Sequence, residues 1–280
     1  MRARGVLDGV TGLGAHDHVC FSYDLPEDFR ARAIEFLGDG LRQGLQVRYV
    51  GSGGEESLWA DISELLDIDA ALRHGAIGVA SLASMYDAER IMRPEKQVRT
   101  WADATEGALA SGFEGLRVAV DATDLVRTVE QVDAFTRYEH LLDTYMTIQP
   151  LSTLCAYARG ELGNDTVAAL ACMHPICNRG ATPFRIFADT DADLAMGGEL
   201  DSAVHPQFSL ALERAEVRTA RPEVVFDGKN LEFLDHRALL SLRQCARQSG
   251  ATAVLRTNSR IPNRLMQMFA MEGIRAERSA

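Results

Sequence analysis

The chain has 280 residues, 46% hydrophobic and 25% charged, which is ordinary globular composition with enough apolar material for two domains of about 100–200 residues. A net charge of −11 argues against a nucleic-acid groove or an anionic membrane surface as partner. No apolar run approaches the roughly 18–20 residues of a membrane span, the basic start Met1–Arg2–Ala3–Arg4 is not followed by a signal-peptide core, and five cysteines without framework spacing suit free thiols in a reducing cytoplasm.

In chain order, His18–Val19–Cys20–Phe21–Ser22–Tyr23 reads as a strand, and Pro26, Glu27 and Asp28 open a helix whose face is Phe29, Ala33, Phe36 and Leu37. Residues 45–50 form the next strand, ending in Gly51–Ser52–Gly53–Gly54. Trp59, Ile62, Leu65 and Leu66 mark a helix, and residues 76–80 a third strand. A helix runs from Pro94 towards Ser111, a fourth strand over Leu116–Asp121, a helix over Val129–Gln149 and a fifth strand over Leu151–Tyr157. This alternation predicts an α/β fold, a mainly parallel sheet with helices on both faces. Asn178–Pro183 is a turn-forming boundary, giving domains 1–182 and 183–280.

The second domain opens with strands at 184–188 and 193–200, then a helix carrying Phe208, Leu210, Leu212 and Ala215. Val224–Val225–Phe226 is a strand that Asp227–Gly228 ends with turn chemistry. Asp235 stands at a helix N-cap before Leu239, Leu242 and Cys245. A strand at 252–255 and a helix from Pro262 close the domain.

The order His18-x-Cys20-Phe21-x-Tyr23, Gly40-Leu41-x-x-Gly44, Tyr138–Glu139, Leu154–Cys155-x-Tyr157 and His174–Pro175 resembles the MEDS sensory domain on a degenerate RecA/KaiC-like sheet. The likeness spans most of residues 13–177 and implies a sensor of a small molecule. The second domain resembles the STAS domain of anti-sigma-factor antagonists through Gly198–Glu199–Leu200–Asp201 and Phe233–Leu234–Asp235. His236 falls where that family carries a phosphorylated serine or threonine, so the resemblance implies docking of an anti-sigma factor or related regulatory protein at Asp235 and His236 without the hydroxyl switch. A homodimer is an open option.

A RecA-type ATPase needs a glycine-rich loop and Gly-Lys-Ser/Thr before its first helix. Here Tyr23–Asp24–Leu25–Pro26–Glu27–Asp28–Phe29 offers three carboxylates and a proline without an N–H. ATP is therefore not expected as a cofactor.

The candidate ligand-binding residues are His18, Cys20, Tyr23, Glu139, Cys155, Tyr157 and His174; of these His18, Tyr23, Glu139, Cys155 and Tyr157 are expected at one crevice at the carboxyl ends of the strands, a setting for a small, largely apolar molecule. Glu139 falls within the apolar arc of Val132, Phe135, Leu142 and Met146, where a carboxylate must be paired: with a cation such as Arg48 or Arg117, with a histidine, or with a ligand donor. His140 is expected on the outward face of that helix. Asp121 ends the fourth strand and is read as a cap towards Thr123 and Asp124. His16, His18 and Cys20 at i, i+2 and i+4 share a strand face and are a metal-ligand pattern that Cys172, His174 and Cys177 can complete. The alternative is a core cysteine beside a satisfied histidine, and no metal or other cofactor is assigned. A metal- or cysteine-dependent enzyme in the same crevice is the alternative function, although no acid or oxyanion loop beside a cysteine is identifiable, so no catalytic residue is assigned.

Overall fold

Runs such as Val118–Ala119–Val120, flanked by helices with one apolar face, can bury both faces of a strand in a parallel sheet. The computed structural model describes residues 2–86 and 91–279, and the chain forms two compact units, 1–181 and 182–280. The elements of the first are β1 (Gly5–Val6), β2 (His18–Tyr23), α1 (Pro26–Arg42), β3 (Gln46–Gly51), α2 (Glu55–Asp61), α3 (Ile68–Arg73), β4 (Ile77–Ser81), α4 (Leu82–Met85), α5 (Pro94–Ala110), β5 (Leu116–Asp121), α6 (Val129–Met146), β6 (Leu151–Ala158), α7 (Arg159–Leu162), α8 (Asn164–Ala171) and β7 (Ile176–Cys177). They build a seven-stranded sheet in the order β1-β7-β2-β6-β5-β3-β4, with parallel pairing throughout.

Strand alternation sorts two cores onto the two faces. One gathers Tyr49, Ala119 and Leu154 with Phe29, Phe36 and Leu37 of α1. The other gathers Val50, Val120 and Cys155 with Trp101 of α5, Phe135 and Leu142 of α6, and Leu170 of α8. Gly40 lets α1 approach the sheet: a Cβ there would lie 2.7 Å from Arg117 Cδ and 3.0 Å from Val47 Cγ1. Gly44 takes φ +77° just past the helix end, a turn that favours glycine. Arg117 is fully buried, its guanidinium stacked on Phe36 at 4.6 Å and donating to Ser152 Oγ at 2.9 Å and Leu13 O at 2.7 Å.

Two expectations for this unit change. The helix expected through Leu66 stops at Asp61 with its C-cap at Ile62, and after an intervening turn Asp67, in the left-handed conformation, starts α3. The two-residue strands β1 and β7 are too short to show a period, and Gly5 N–H to Pro175 O at 2.9 Å anchors them.

The second unit holds β8 (Phe184–Phe187), β9 (Leu194–Leu200), α9 (His205–Ala215), β10 (Glu223–Leu234), α10 (His236–Gln248), β11 (Thr252–Arg256), α11 (Ile261–Met268) and β12 (Ile274–Glu277). Its sheet runs β12-β11-β10-β9-β8, antiparallel between β8 and β9 and parallel elsewhere. Asp227–Gly228 does not end its strand. The Asp227 carboxylate accepts from Lys229 N at 3.0 Å and Gly228 admits close packing by Leu255 and Leu231, so the turn residues make an irregularity and β10 runs on to Leu234. Asp235 Oδ1 accepts from Ala238 N at 2.9 Å and caps α10. No described helix is long and apolar enough to cross a membrane.

Candidate functional site

The chemistry of the first unit collects beneath α6. Thr128 and Gln131 close a capping box at its start, fixing the helix phase. That phase turns Glu139 and, one turn later, Asp143 onto the sheet, and both are fully buried. Register sets the opposing floor: His18 pairs Thr153 and Cys20 pairs Cys155, so His18, Cys155 and Tyr157 face the same way. His174 enters from the turn after α8, its Nδ1 donating to Leu170 O at 3.0 Å.

The groups form one continuous network. Arg2 pairs with Asp143 Oδ1, which contacts His18 Nδ1 at 2.9 Å. His18 Nε2 lies 3.1 Å from Glu139 Oε2, and Tyr157 donates its hydroxyl to Glu139 Oε1 at 2.6 Å. His174 Nε2 sits 3.6 Å from Glu139 Oε2 without a hydrogen-bond partner. Cys155 Sγ is 3.7 Å from His18 Nε2 and 3.8 Å from Glu139 Oε2. The His18 and His174 rings are 4.0 Å apart between centroids. The inward atoms of His18, Glu139, Cys155 and His174 lie within 4.8 Å of one another, a donor set able to hold a metal ion.

Electrostatics follow from burial and contact. Burial alone would lower the His18 pKa, but the bonds to Asp143 and then Glu139 reverse that and raise it above 6.5. Burial pushes the Glu139 carboxyl up, yet His174, His18 and Tyr157 more than offset this and hold it below its ordinary value. Asp143 is driven down in the same way, by Arg2 and His18 against burial. Burial, then the His18 charge, pushes His174 down to about 4. Burial, then Glu139, pushes the Cys155 thiol well up.

Of the residues singled out from the sequence, His18, Glu139, Cys155, Tyr157 and His174 come together, but not in a crevice at the strands' carboxyl ends. They lie under α6 against the sheet face, and His18 begins β2. Tyr23 is elsewhere: it sits in the core on the opposite face and donates to Asp121 Oδ2 at 2.6 Å. Asp121 Oδ1 also accepts from Thr123 Oγ1 at 2.7 Å, a local cap. Cys20 packs in the apolar core on the network's face, its thiol raised by burial and then by Cys177. His16 turns away to Met146 O at 3.0 Å, so the trio His16, His18 and Cys20 does not act as one ligand set. His140 is buried rather than outward, because α6 packs against α5 and α8 as well as the sheet. Of the pairings expected for Glu139 the histidine one is found: neither Arg48 nor Arg117 reaches it, and its partners are His18, His174 and Tyr157. Sequence reading missed Asp143, although its i+4 spacing from Glu139 puts it on the same face, and Arg2, for which the sequence carried no signal.

In the second unit Asp235 is engaged in its cap, and His236 stacks on Phe269 with centroids 4.9 Å apart. Exposed Phe233, Ile261, Met268 and Phe269 belong to the same unit, and Phe233 and Ile261 line one small cleft beside α11.

No curated protein matches this chain. A solved KaiC-like protein from the hyperthermophilic archaeon Pyrococcus horikoshii OT3 is similar at 13% identity and a TM-score of 0.40, covering 66% of this chain and 80% of its own. Residues 17–175, over half the chain, match the methanogen/methylotroph, DcmR sensory domain, and the chain belongs to this MEDS family.

Proposed function

We propose that this chain is a cytoplasmic regulatory protein in which the first unit senses a small, largely apolar ligand and the second docks an anti-sigma-factor-type protein. The observation that carries the reading is the fully buried charged network around Glu139 in a domain of a sensory family. Buried ionisable groups are costly, and a network whose members share protons and bonds is sensitive to any group that enters it. His18, Glu139, Cys155, Tyr157 and His174 are its ligand-responsive members, with Cys20 on the adjoining wall.

The STAS-like reading of the second unit is supported by its mixed five-stranded sheet and by the capped start of α10 at Asp235. The docking surface lies around His236, where Phe269 stacks and Phe233 stays exposed. His236 has no hydroxyl, and Ser241 hydrogen-bonds to Ser209 and His205, so docking is not governed by Ser/Thr phosphorylation there.

Two catalytic alternatives are disfavoured. The connection from β2 to α1 is Asp24–Leu25, too short to wrap a triphosphate. Cys155 and Cys20 are fully buried thiols pushed up in pKa, the opposite of an activated nucleophile. Native mass spectrometry of the full chain tests the sensory reading: a retained small organic molecule, lost in Glu139→Gln, is expected. Identical retention by the variant would refute the assignment to this network.

A further inference from the structure

The donor set under α6 is arranged as a ligand cage. His174 Nδ1 is committed to Leu170 O, which leaves its Nε2 lone pair pointing inward with no hydrogen-bond partner. Tyr157 occupies Glu139 Oε1 and leaves Oε2 facing inward. Asp143 holds His18 Nδ1 and is itself held by Arg2, leaving His18 Nε2 inward. Each histidine and the carboxylate thus has its outer atom tied by a neighbour, as metal-binding side chains require. Cys155 Sγ adds a fourth inward atom.

We propose that His18 Nε2, Glu139 Oε2, Cys155 Sγ and His174 Nε2 form a closed four-coordinate site for a zinc-type divalent cation. Zinc bonds of about 2.0–2.3 Å to nitrogen, oxygen and sulfur imply tetrahedral edges of about 3.3–3.6 Å. The edges here include 3.1, 3.6, 3.7 and 3.8 Å, so small side-chain adjustments suffice for these four. Charge also fits. One carboxylate, one thiolate and two neutral imidazoles balance a dication, so the filled site is neutral, as a fully buried site needs to be. Binding expels the Cys155 thiol proton and any proton on His18 Nε2 to solvent; no electron moves. Four protein ligands leave no open position, which suits a structural or signal-responsive ion better than a catalytic one. Among the described residues this is the cluster with that ligand chemistry. The inference goes beyond the sensory reading and stands on the donor geometry alone.

The test uses the full chain. Elemental analysis of protein purified without chelator is expected to find about one equivalent of zinc or a similar ion per chain. After chelation, Co²⁺ serves as the probe. Wild type and Cys245→Ala are expected to show intense tetrahedral visible bands and a thiolate-to-cobalt charge-transfer band. Cys155→Ala is expected to lose the charge-transfer band, and Asp143→Asn to bind Co²⁺ about 10–100-fold more weakly while keeping the wild-type circular dichroism. The proposal is overturned by metal-free protein that gives no Co²⁺ bands, by the weak spectrum of a six-coordinate hydrated ion, or by a charge-transfer band that survives Cys155→Ala. None of these outcomes decides whether an organic molecule is retained, so the sensory reading is tested separately.

Discussion

Removing a single oxygen, in Tyr157→Phe, probes the network without opening a cavity. The hydroxyl donates to Glu139 Oε1 at 2.6 Å, and both side chains are fully buried, so no water replaces the lost donor. A hydrogen bond to a charged group contributes about 1.5–3 kcal/mol. In a unit of this size that corresponds to a fall in Tm of about 3–12 °C. The assay is favourable because both tryptophans, Trp59 and Trp101, lie in the first unit, so their fluorescence reports its unfolding alone. Urea titrations with that signal should show an earlier midpoint at an unchanged slope. A loss below about 0.5 kcal/mol would refute the claim that Glu139 is a buried carboxylate held by Tyr157. Tyr23→Phe should cost less, because Asp121 keeps its bonds to Thr123 on a partly exposed strand end.

Acidity should act on the chelated first unit from both sides. The native His174 pKa of about 4 lies below its ordinary 6.5, so between these values the unfolded chain binds a proton the fold refuses, and stability falls on acidification through that window. The raised His18 pKa contributes stability that is complete below 6.5 and is lost as pH rises through the native value. Tryptophan-monitored urea midpoints across pH should therefore peak between the two regimes, and a flat profile would contradict both assignments. Gly40→Ala should destabilise by about 1–3 kcal/mol, since the new methyl meets the immobilised Arg117 stem, whereas Gly107→Ala, open around its Cβ in α5, should stabilise by up to about 1 kcal/mol. Equal effects at the two sites in thermal melts would contradict the packing account. Asp235→Ala should cost about 1 kcal/mol and speed hydrogen exchange in the first turn of α10; unchanged exchange there would remove the cap.

Much of the first unit was legible because its strands are continuous apolar runs and its helices carry one clear apolar arc. Glu139 stood out by interrupting such an arc, and β2 parity already separated Tyr23 from His18, since residues five apart on a strand face opposite ways. Asp143 was harder. A carboxylate one turn from another normally marks a solvated edge, and its cationic partner Arg2 lies 141 positions away. His140 misled because periodicity assumes one buried face, whereas α6 is covered by the sheet, α5 and α8. Asp227–Gly228 carried turn chemistry, but β9 and β11 flank β10 on both sides, and their pairing absorbs the irregularity and extends the strand. The strands β1, β7 and β12 hold two, two and four residues, too few for a pattern.

In the proposed sensor, a signal enters the first unit at the network around Glu139. Thermal unfolding of the full chain, followed by tryptophan fluorescence while short alcohols and small hydrocarbons of the proposed largely apolar class are titrated in, tests this. A saturable rise in Tm is expected for at least one such molecule. The rise should vanish in Glu139→Gln and persist in His74→Ala, an exposed site at the end of α3. A folded Glu139→Gln protein with the full wild-type shift would contradict it.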